Sequence, residues 1–238
     1  MTDDLAERLD TAARDAVAIP QIVSAAGVDP DGAYAVQEAL VARRLARGER
    51  LVGIKLGLTS RAKMAQVGVD EVIWGRLTNG MAVADSTTVD TSRLIHPRIE
   101  PEVAFLLDAA GNATAVAPAL EVIDSRYADF TFSLADVIAD NSSAAAFAIG
   151  PWRPLPGGLD NLGVLLEVDG RVVQIGSTAA ILGDPRRALV AARRLAGSRT
   201  EAGWVLLAGA ATAAVPLVKG AYVRAVVEGL GTVAVRAS

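Results

Sequence analysis

Apolar residues recur at helical spacing near the start of the chain, at Leu5, Leu9, Ala12, Ala13 and Ala16, and predict a first helix there. A second helix is predicted from about Gly32 to Arg47, with Tyr34, Val36, Ala39, Leu40 and Leu45 available for packing and Gly48 to stop it. Beyond this preface the pattern is mostly that of strands. Leu51 to Leu58 reads as one, with Gly53 and Gly57 marking close backbone approach or a bend. Val103 to Leu107 is continuously apolar, as in a strand that runs into a core, and Pro118 to Asp124 reads as another strand. Leu162 to Val168 and Arg171 to Ile175 flank Asp169-Gly170, a hairpin-turn signal. Gly203 to Ala208, Tyr222 to Val227 and Gly231 to Arg236 complete the strands. Two further helices are expected. Leu134 to Asp140 is short and ends at Asn141-Ser142-Ser143; Pro185 to Ala196 has Pro185 suited to its first turn and Gly197 to its C-cap. Strands outnumber helices and are often hairpin-connected, which favours an α+β fold around a mixed, rolled β-sheet over a doubly wound one. With no internal repeat or linker, residues 1–238 are expected to form a single catalytic domain, with 1–48 as a helical N-terminal preface.

Composition narrows the chemistry. Aromatic residues are only 4% of the chain against 52% hydrophobic, so the core must be built mainly from Ala, Val, Leu and Ile. No apolar run reaches the roughly 18 residues that span a bilayer, and Met1-Thr2-Asp3-Asp4 lacks the basic and apolar regions of a signal peptide. A soluble, cytoplasmic protein is expected. Without cysteine there is no disulfide, thiol nucleophile or thiolate metal site, and a single histidine, His96, excludes a multi-histidine zinc centre. A net charge of -4 gives no general attraction to nucleic acid.

Three glutamates carry the main chemical signal. Glu100 and Glu102 are two apart in Ile99-Glu100-Pro101-Glu102-Val103, so on a strand they share a face. Glu121, in Ala119-Leu120-Glu121-Val122-Ile123, can meet them from a neighbouring strand. Three carboxylates without a thiolate suit a hard cation such as Mg2+ or Mn2+. A Glu-x-Glu is also what a solvated strand edge carries, and Pro101 between the two fits an edge or a strand beginning. Lys55, in the middle of an apolar strand, has two readings as well. It is an edge lysine that discourages aggregation, or, beside a carboxylate cluster, a general acid/base or carboxylate anchor.

Other segments are open in the same way. Asp124-Ser125-Arg126 reads as support for the carboxylates or as a surface ion pair, and Asp140-Asn141-Ser142-Ser143 as a turn or cap whose hydroxyls are also available to a substrate. Arg186, Arg187, Arg193 and Arg194 read as the solvated face of a helix. Gly176 to Gly183 has neither dinucleotide nor P-loop spacing, and there is no Gly-x-Ser-x-Gly elbow.

Four ordered motifs carry a resemblance over the chain from about Ala33 onward. Gly53-Ile54-Lys55-Leu56-Gly57-Leu58-Thr59-Ser60, Pro97-Arg98-Ile99-Glu100-Pro101-Glu102-Val103-Ala104-Phe105, Glu121-Val122-Ile123-Asp124-Ser125-Arg126 and Ala139-Asp140-Asn141-Ser142-Ser143 resemble the 2-keto-4-pentenoate hydratase and 4-oxalocrotonate decarboxylase family, within the fumarylacetoacetate hydrolase superfamily. The decarboxylase branch is the closer match. Thr59-Ser60-Arg61-Ala62-Lys63-Met64, Gly68-Val69-Asp70, Leu77-Thr78-Asn79-Gly80-Met81 and Ile95-His96-Pro97 resemble its wording. Val72-Ile73-Trp74-Gly75 stands where hydratases carry Pro-Asp-aromatic-Gly. The chain departs from the pattern in having only 18 residues between Glu102 and Glu121, and in Gly209-Ala210-Ala211-Thr212-Ala213-Ala214 near its end.

The resemblance implies a fold like the C-terminal domain of fumarylacetoacetate hydrolase. It implies Mg2+ or Mn2+ held by Glu100, Glu102 and Glu121, Lys55 as the active-site lysine, and Ser143, Thr212 and Leu56 as substrate contacts. The activity it implies is decarboxylation of a small 2-oxo dicarboxylic acid, 2-oxo-3-hexenedioate, to 2-hydroxypenta-2,4-dienoate and CO2 in meta-cleavage aromatic catabolism. A homo-oligomer and a complex with the pathway hydratase follow from the same resemblance. The alternatives are hydration of the dienoate, hydrolysis of an acylpyruvate, and an inactive partner that retains the fold. His96 is the one histidine a hydrolase could use to activate water, and it also reads simply as a strand-start residue.

Overall fold

In the computed structural model, which describes residues 1–60, 64, 72–196 and 200–238, the chain opens with α1 (Thr2–Asp15) and α2 (Pro30–Ala46). Helix α2 starts two residues before the position read from periodicity. Asp29 accepts the Gly32 N–H at 2.8 Å and Pro30 fills the first turn, where a missing N–H costs nothing. Two further helices follow, α3 (Leu134–Ala139) and α4 (Arg187–Ala196); Pro185 precedes α4 instead of lying in its first turn. Gly197, Arg61-Ala62-Lys63 and Gly68-Val69-Asp70 lie outside the described residues.

The strands are β1 (Leu51–Gly57), β2 (Ile73–Thr78), β3 (Ala82–Val83), β4 (Thr87–Val89), β5 (Arg98–Leu107), β6 (Ala113–Ile123), β7 (Ala144–Ile149), β8 (Gly163–Val168), β9 (Arg171–Ser177), β10 (Val205–Ala210), β11 (Val215–Pro216), β12 (Tyr222–Val227) and β13 (Gly231–Ala237). They form a curled sheet in the order β2-β1-β10-β5-β6-β7-β3, with β11 alongside β5, and a five-stranded sheet in the order β4-β13-β12-β8-β9. The fold is mixed α+β, as the sequence implies. Asp169 and Gly170 both have positive φ, 51° and 77°, as a two-residue turn between β8 and β9 requires.

Alternation along the central strands separates two environments. Ile99, Val103, Phe105 and Leu107 of β5 and Leu120 and Val122 of β6 face outward. There they pack on Val223, Ala225, Val233 and Val235 of the second sheet and on Ala188 and Ala192 of α4. The inner face carries Ala104, Ala119, Phe147 and Leu207 in a smaller apolar cluster, and it is on this face that the charged residues lie. Pro101 is on neither an edge nor a strand start. It sits in the interior strand β5, paired with Leu120 of β6 and one residue past the last β10 pair, Ala210 with Glu102, where β10 has ended and a missing N–H breaks no ladder bond.

The N-terminal helices bury Leu5, Leu9, Val36 and Leu40 against Tyr127, Val137 and Ile138, around α3. One carboxylate ties the connection between α1 and α2 to this layer. Asp136, fully buried, accepts the N–H groups of Val23 (3.0 Å) and Ser24 (3.3 Å) and the hydroxyls of Ser24 and Ser133, and its own N–H reaches Ser133 Oγ at 3.2 Å. Burial pushes this carboxyl up, but the donors from Ser24, Ser133 and the two amides outweigh burial and hold it below its ordinary value. No helix among the described residues is long and apolar enough to cross a membrane.

Asp136→Ala is expected to lower stability by about 3 kcal/mol at pH 7, because several hydrogen bonds to one buried charge are lost together. The contribution of a carboxylate depressed in the folded state is present above its unfolded pKa and lost as pH falls through the folded value. The gap between wild type and variant in urea melts must therefore narrow in acid; a gap that widens would contradict this role for the carboxylate.

Candidate metal centre

Antiparallel pairing of β5 with β6 sets Glu100 directly opposite Glu121, and Glu102 follows one pleat along on the same face. The three carboxylates bring one oxygen each to within 4.8 Å of one another. Their exposures are 4%, 1% and 1%, so the solvated-edge reading does not hold. Lys55, 3% exposed, comes from β1, which is flanked by β2 and β10 and is not an edge strand. Its Nζ lies 3.1 Å from Glu121 Oε2 and donates to the Ser142 carbonyl at 3.0 Å.

Among the described residues, the Lys55 ammonium lies beside the three carboxylates, and the electrostatics follow from that grouping. Burial works against the charged form of Lys55, but Glu121, Glu100 and Glu102 outweigh it and hold the ammonium above its ordinary pKa. Glu102 is pushed well up, first by burial and then by Glu121 and Glu100, with Lys55 and the Gly209 N–H (2.8 Å to Oε2) opposing. Burial also raises Glu121, which Lys55 offsets only in part. Glu102 Oε1 and Glu121 Oε1 are buried without a hydrogen-bond partner among the described residues. Unsatisfied anionic oxygens at this depth are costly unless a cation takes them. The donor set is all oxygen and the chain has no cysteine, so these residues fit a hard divalent ion.

The other expected site residues fall in different places. Ser143 is buried in the segment after α3, with Oγ lacking a partner among the described residues. Thr212 lies in the loop after β10 and its hydroxyl donates to the Ala213 carbonyl at 3.0 Å. The Leu56 side chain belongs to the outer apolar layer with Ile54, Phe105 and Leu206, on the face opposite Lys55. Asp124 and Arg126 form buried ties and not a surface pair. Asp124 accepts the N–H groups of Ile95 (2.9 Å) and His96 (2.8 Å), and Arg126 pairs with Asp140. His96 packs on Phe130, ring centroids 5.1 Å apart, and is not among the clustered carboxylates. The Arg187, Arg193 and Arg194 side chains are exposed on α4, in keeping with a solvated face.

Sequence reasoning missed two backbone groups at this site, the Ser142 carbonyl and the Gly209 N–H. The composition of Asn141-Ser142-Ser143 signals a turn, but not that its main chain would face a lysine from a distant strand.

A curled sheet with a buried tricarboxylate and a facing lysine is a protein of the fumarylacetoacetate hydrolase-like fold. No family model matches the chain. It is 50% identical over 242 residues to a 4-oxalocrotonate decarboxylase of Pseudomonas sp., covering 96% of this chain and 94% of the relative. To a 2-keto-4-pentenoate hydratase of Paraburkholderia xenovorans LB400 it is 35% identical, with 85% and 82% covered. Among solved structures, the 4-oxalocrotonate decarboxylase from Pseudomonas putida G7 complexed with magnesium and adipate superposes with TM-score 0.93 at 36% identity, over 100% of this chain and 97% of that one. The chain belongs to the 4-oxalocrotonate decarboxylase and 2-keto-4-pentenoate hydratase family, whose named activities are those of lyases acting on small organic acids.

Glu102→Gln tests the electrostatic reading without any substrate. The raised carboxyl makes its ionisation in the folded state a cost that grows as pH rises from the unfolded to the folded pKa, so removing the charge is expected to stabilise the metal-free protein by about 1 kcal/mol at neutral pH. Urea melts in chelator should show the gain, and the stabilisation that added Mg2+ is expected to give the wild type should be lost. A variant less stable than wild type in chelator would contradict the assignment.

Proposed function

We propose that this protein decarboxylates 2-oxo-3-hexenedioate (4-oxalocrotonate) to 2-hydroxypenta-2,4-dienoate and CO2, with Mg2+ or Mn2+ held by Glu100, Glu102 and Glu121. The observation that carries the proposal is the buried carboxylate cluster with two unsatisfied oxygens facing one lysine. When bound, the cation supplies Lewis-acid polarisation of a 2-oxo acid. Fifty per cent identity to a named decarboxylase, against 35% to the hydratase, supports the branch. So does adipate in the related structure, a six-carbon dicarboxylate of the same length as the substrate.

The chain's own residues contribute position, dryness and a proton. In the reaction the bond between C5 and C6 breaks, C6 leaves as CO2, and the electron pair moves through the conjugated chain to the 2-oxo oxygen, which takes up a proton. Lys55 Nζ, held by Glu121 and Ser142, is the proton-bearing cation facing that charge. Ala104, Ala119, Phe147 and Leu207 make the same sheet face apolar. Such surroundings disfavour a carboxylate relative to neutral CO2. Ser143 and Thr212 are substrate contacts in this reading, whereas Leu56, with its side chain in the outer layer, offers a substrate only its main chain.

The reading includes a cytoplasmic homo-oligomer that hands the unstable dienol to a hydratase. The edge strand β9, with Val172, Val173 and Ile175 exposed, supports an assembly. Residues 1–238 are read as one catalytic domain, with 1–48 as its preface.

The test is CO2 release and loss of ultraviolet absorbance from 2-oxo-3-hexenedioate, with Mg2+ and with chelator, beside the dienoate as substrate. Metal-dependent CO2 release is expected, with Glu102→Gln at least about 100-fold slower. Consumption of the dienoate without CO2 would replace this reading by hydration.

A further inference from the structure

Asn141, Ser142 and Ser143 have φ of 51°, 53° and 56°, three consecutive non-glycine residues in the left-handed region, and all three are buried. Left-handed backbone costs about 1–2 kcal/mol per residue, and such strain persists only where the surroundings over-determine it. Here the determinant is the Asn141 side chain. Its Oδ1 accepts the Arg76 N–H at 2.7 Å and its Nδ2 donates to the Arg76 carbonyl at 2.9 Å, both buried. Strand β2 is the edge of the curled sheet, so one amide side chain takes the place of a neighbouring strand. Gln37 does the same one pleat away, donating to the Trp74 carbonyl and to the Ile138 carbonyl at 2.9 Å each.

The turn lies where the sheet has no side chains. Gly75 is the cross-strand partner of Lys55, and a Cβ on it would fall 2.6 Å from the Asn141 carbonyl oxygen. Gly57 is two residues from Lys55 on the same face, and a Cβ there would fall 2.6 Å from Ser142 Oγ. Flanked in this way, the Ser142 carbonyl reaches Lys55 Nζ. An ammonium has three donors. The Ser142 carbonyl accepts one of them, and the Glu121 carboxylate lies at ion-pair distance, 3.1 Å, which fixes where the ammonium sits.

We infer that Asn141 is a positioning residue: its amide clamps the left-handed turn to the edge of β2, so that the Ser142 carbonyl, with Glu121, aims the Lys55 ammonium at the substrate. The inference rests on the proposal that Lys55 acts on the substrate, and the experiment separates the two. Wild type, Asn141→Gly, Lys55→Met and the double variant are assayed for CO2 release from 2-oxo-3-hexenedioate at saturating Mg2+. Glycine accepts positive φ without strain, so Asn141→Gly removes the clamp while easing the backbone.

Asn141→Gly is expected to lower kcat by about 100-fold, as a misplacement on the order of 1 Å does, with KM within about threefold. In the Lys55→Met background it should cost nothing further, because both changes act through one group. Additive losses, or an unchanged kcat, overturn the inference. Gly57→Ala, which crowds Ser142 Oγ without touching Asn141, is the second variant and should give the same loss confined to kcat; wild-type kcat there also overturns it. If Lys55→Met keeps wild-type kcat, the role of Lys55 falls, and if wild type releases no CO2 the proposed reaction falls. If Lys55→Met is impaired and Asn141→Gly is not, this inference alone fails.

Discussion

Burying three carboxylates against one ammonium is the constraint that orders the rest of the molecule. Lys55 offsets the charge of Glu102 and Glu121 only in part, and desolvation makes the rest costly. The protein meets this with fixed geometry. Register between β5 and β6 sets the carboxylates on one face, the Gly209 N–H takes one oxygen, and one oxygen of each carboxylate lies within 4.8 Å of the others. In the proposed metal-bound state a divalent ion would offset that cost, which would couple the free energy of ion binding to that of holding the sheet in register.

The carboxylate pattern was legible in the sequence because two-residue alternation is a local rule. Glu100 and Glu102 had to share a face if the segment was a strand, and Val103 to Leu107 said that it was. The strand-start reading of Pro101 failed for a non-local reason: what leaves room for it inside the sheet is the end of β10 at Ala210, about a hundred residues further along the chain. Strands β2, β3, β4, β7 and β11 carried too little pattern of their own. In β2, Trp74, Gly75 and Arg76 break both alternation and continuity, because its outer edge is satisfied by the side chains of Gln37 and Asn141 instead of by a strand. Side-chain substitution for a sheet neighbour leaves no periodic trace.

The same substitution connects the N-terminal helices to the site. Gln37 on α2 bonds to β2 and to the end of α3, next to the turn that holds Lys55. Residues read as a helical preface therefore hydrogen-bond to the strand and the helix end that flank the Lys55 turn, and the apolar layer of Leu9, Val36 and Leu40 supports them.

The place of β10 between β1 and β5 has a temporal consequence. Lys55 and Glu100 belong to strands that are far apart in the sheet until residues 205–210 slot between them, in parallel with β1 and antiparallel to β5. During synthesis the carboxylates and the lysine thus stay apart, each hydrated, until nearly nine-tenths of the chain has emerged. The β5–β6 pairing brings the carboxylates together by itself, and the ammonium that offsets part of their repulsion reaches them only through this non-local step, which such topology makes slow. A nascent chain lacking its final strands therefore holds its three carboxylates without the ammonium that faces them in the finished protein.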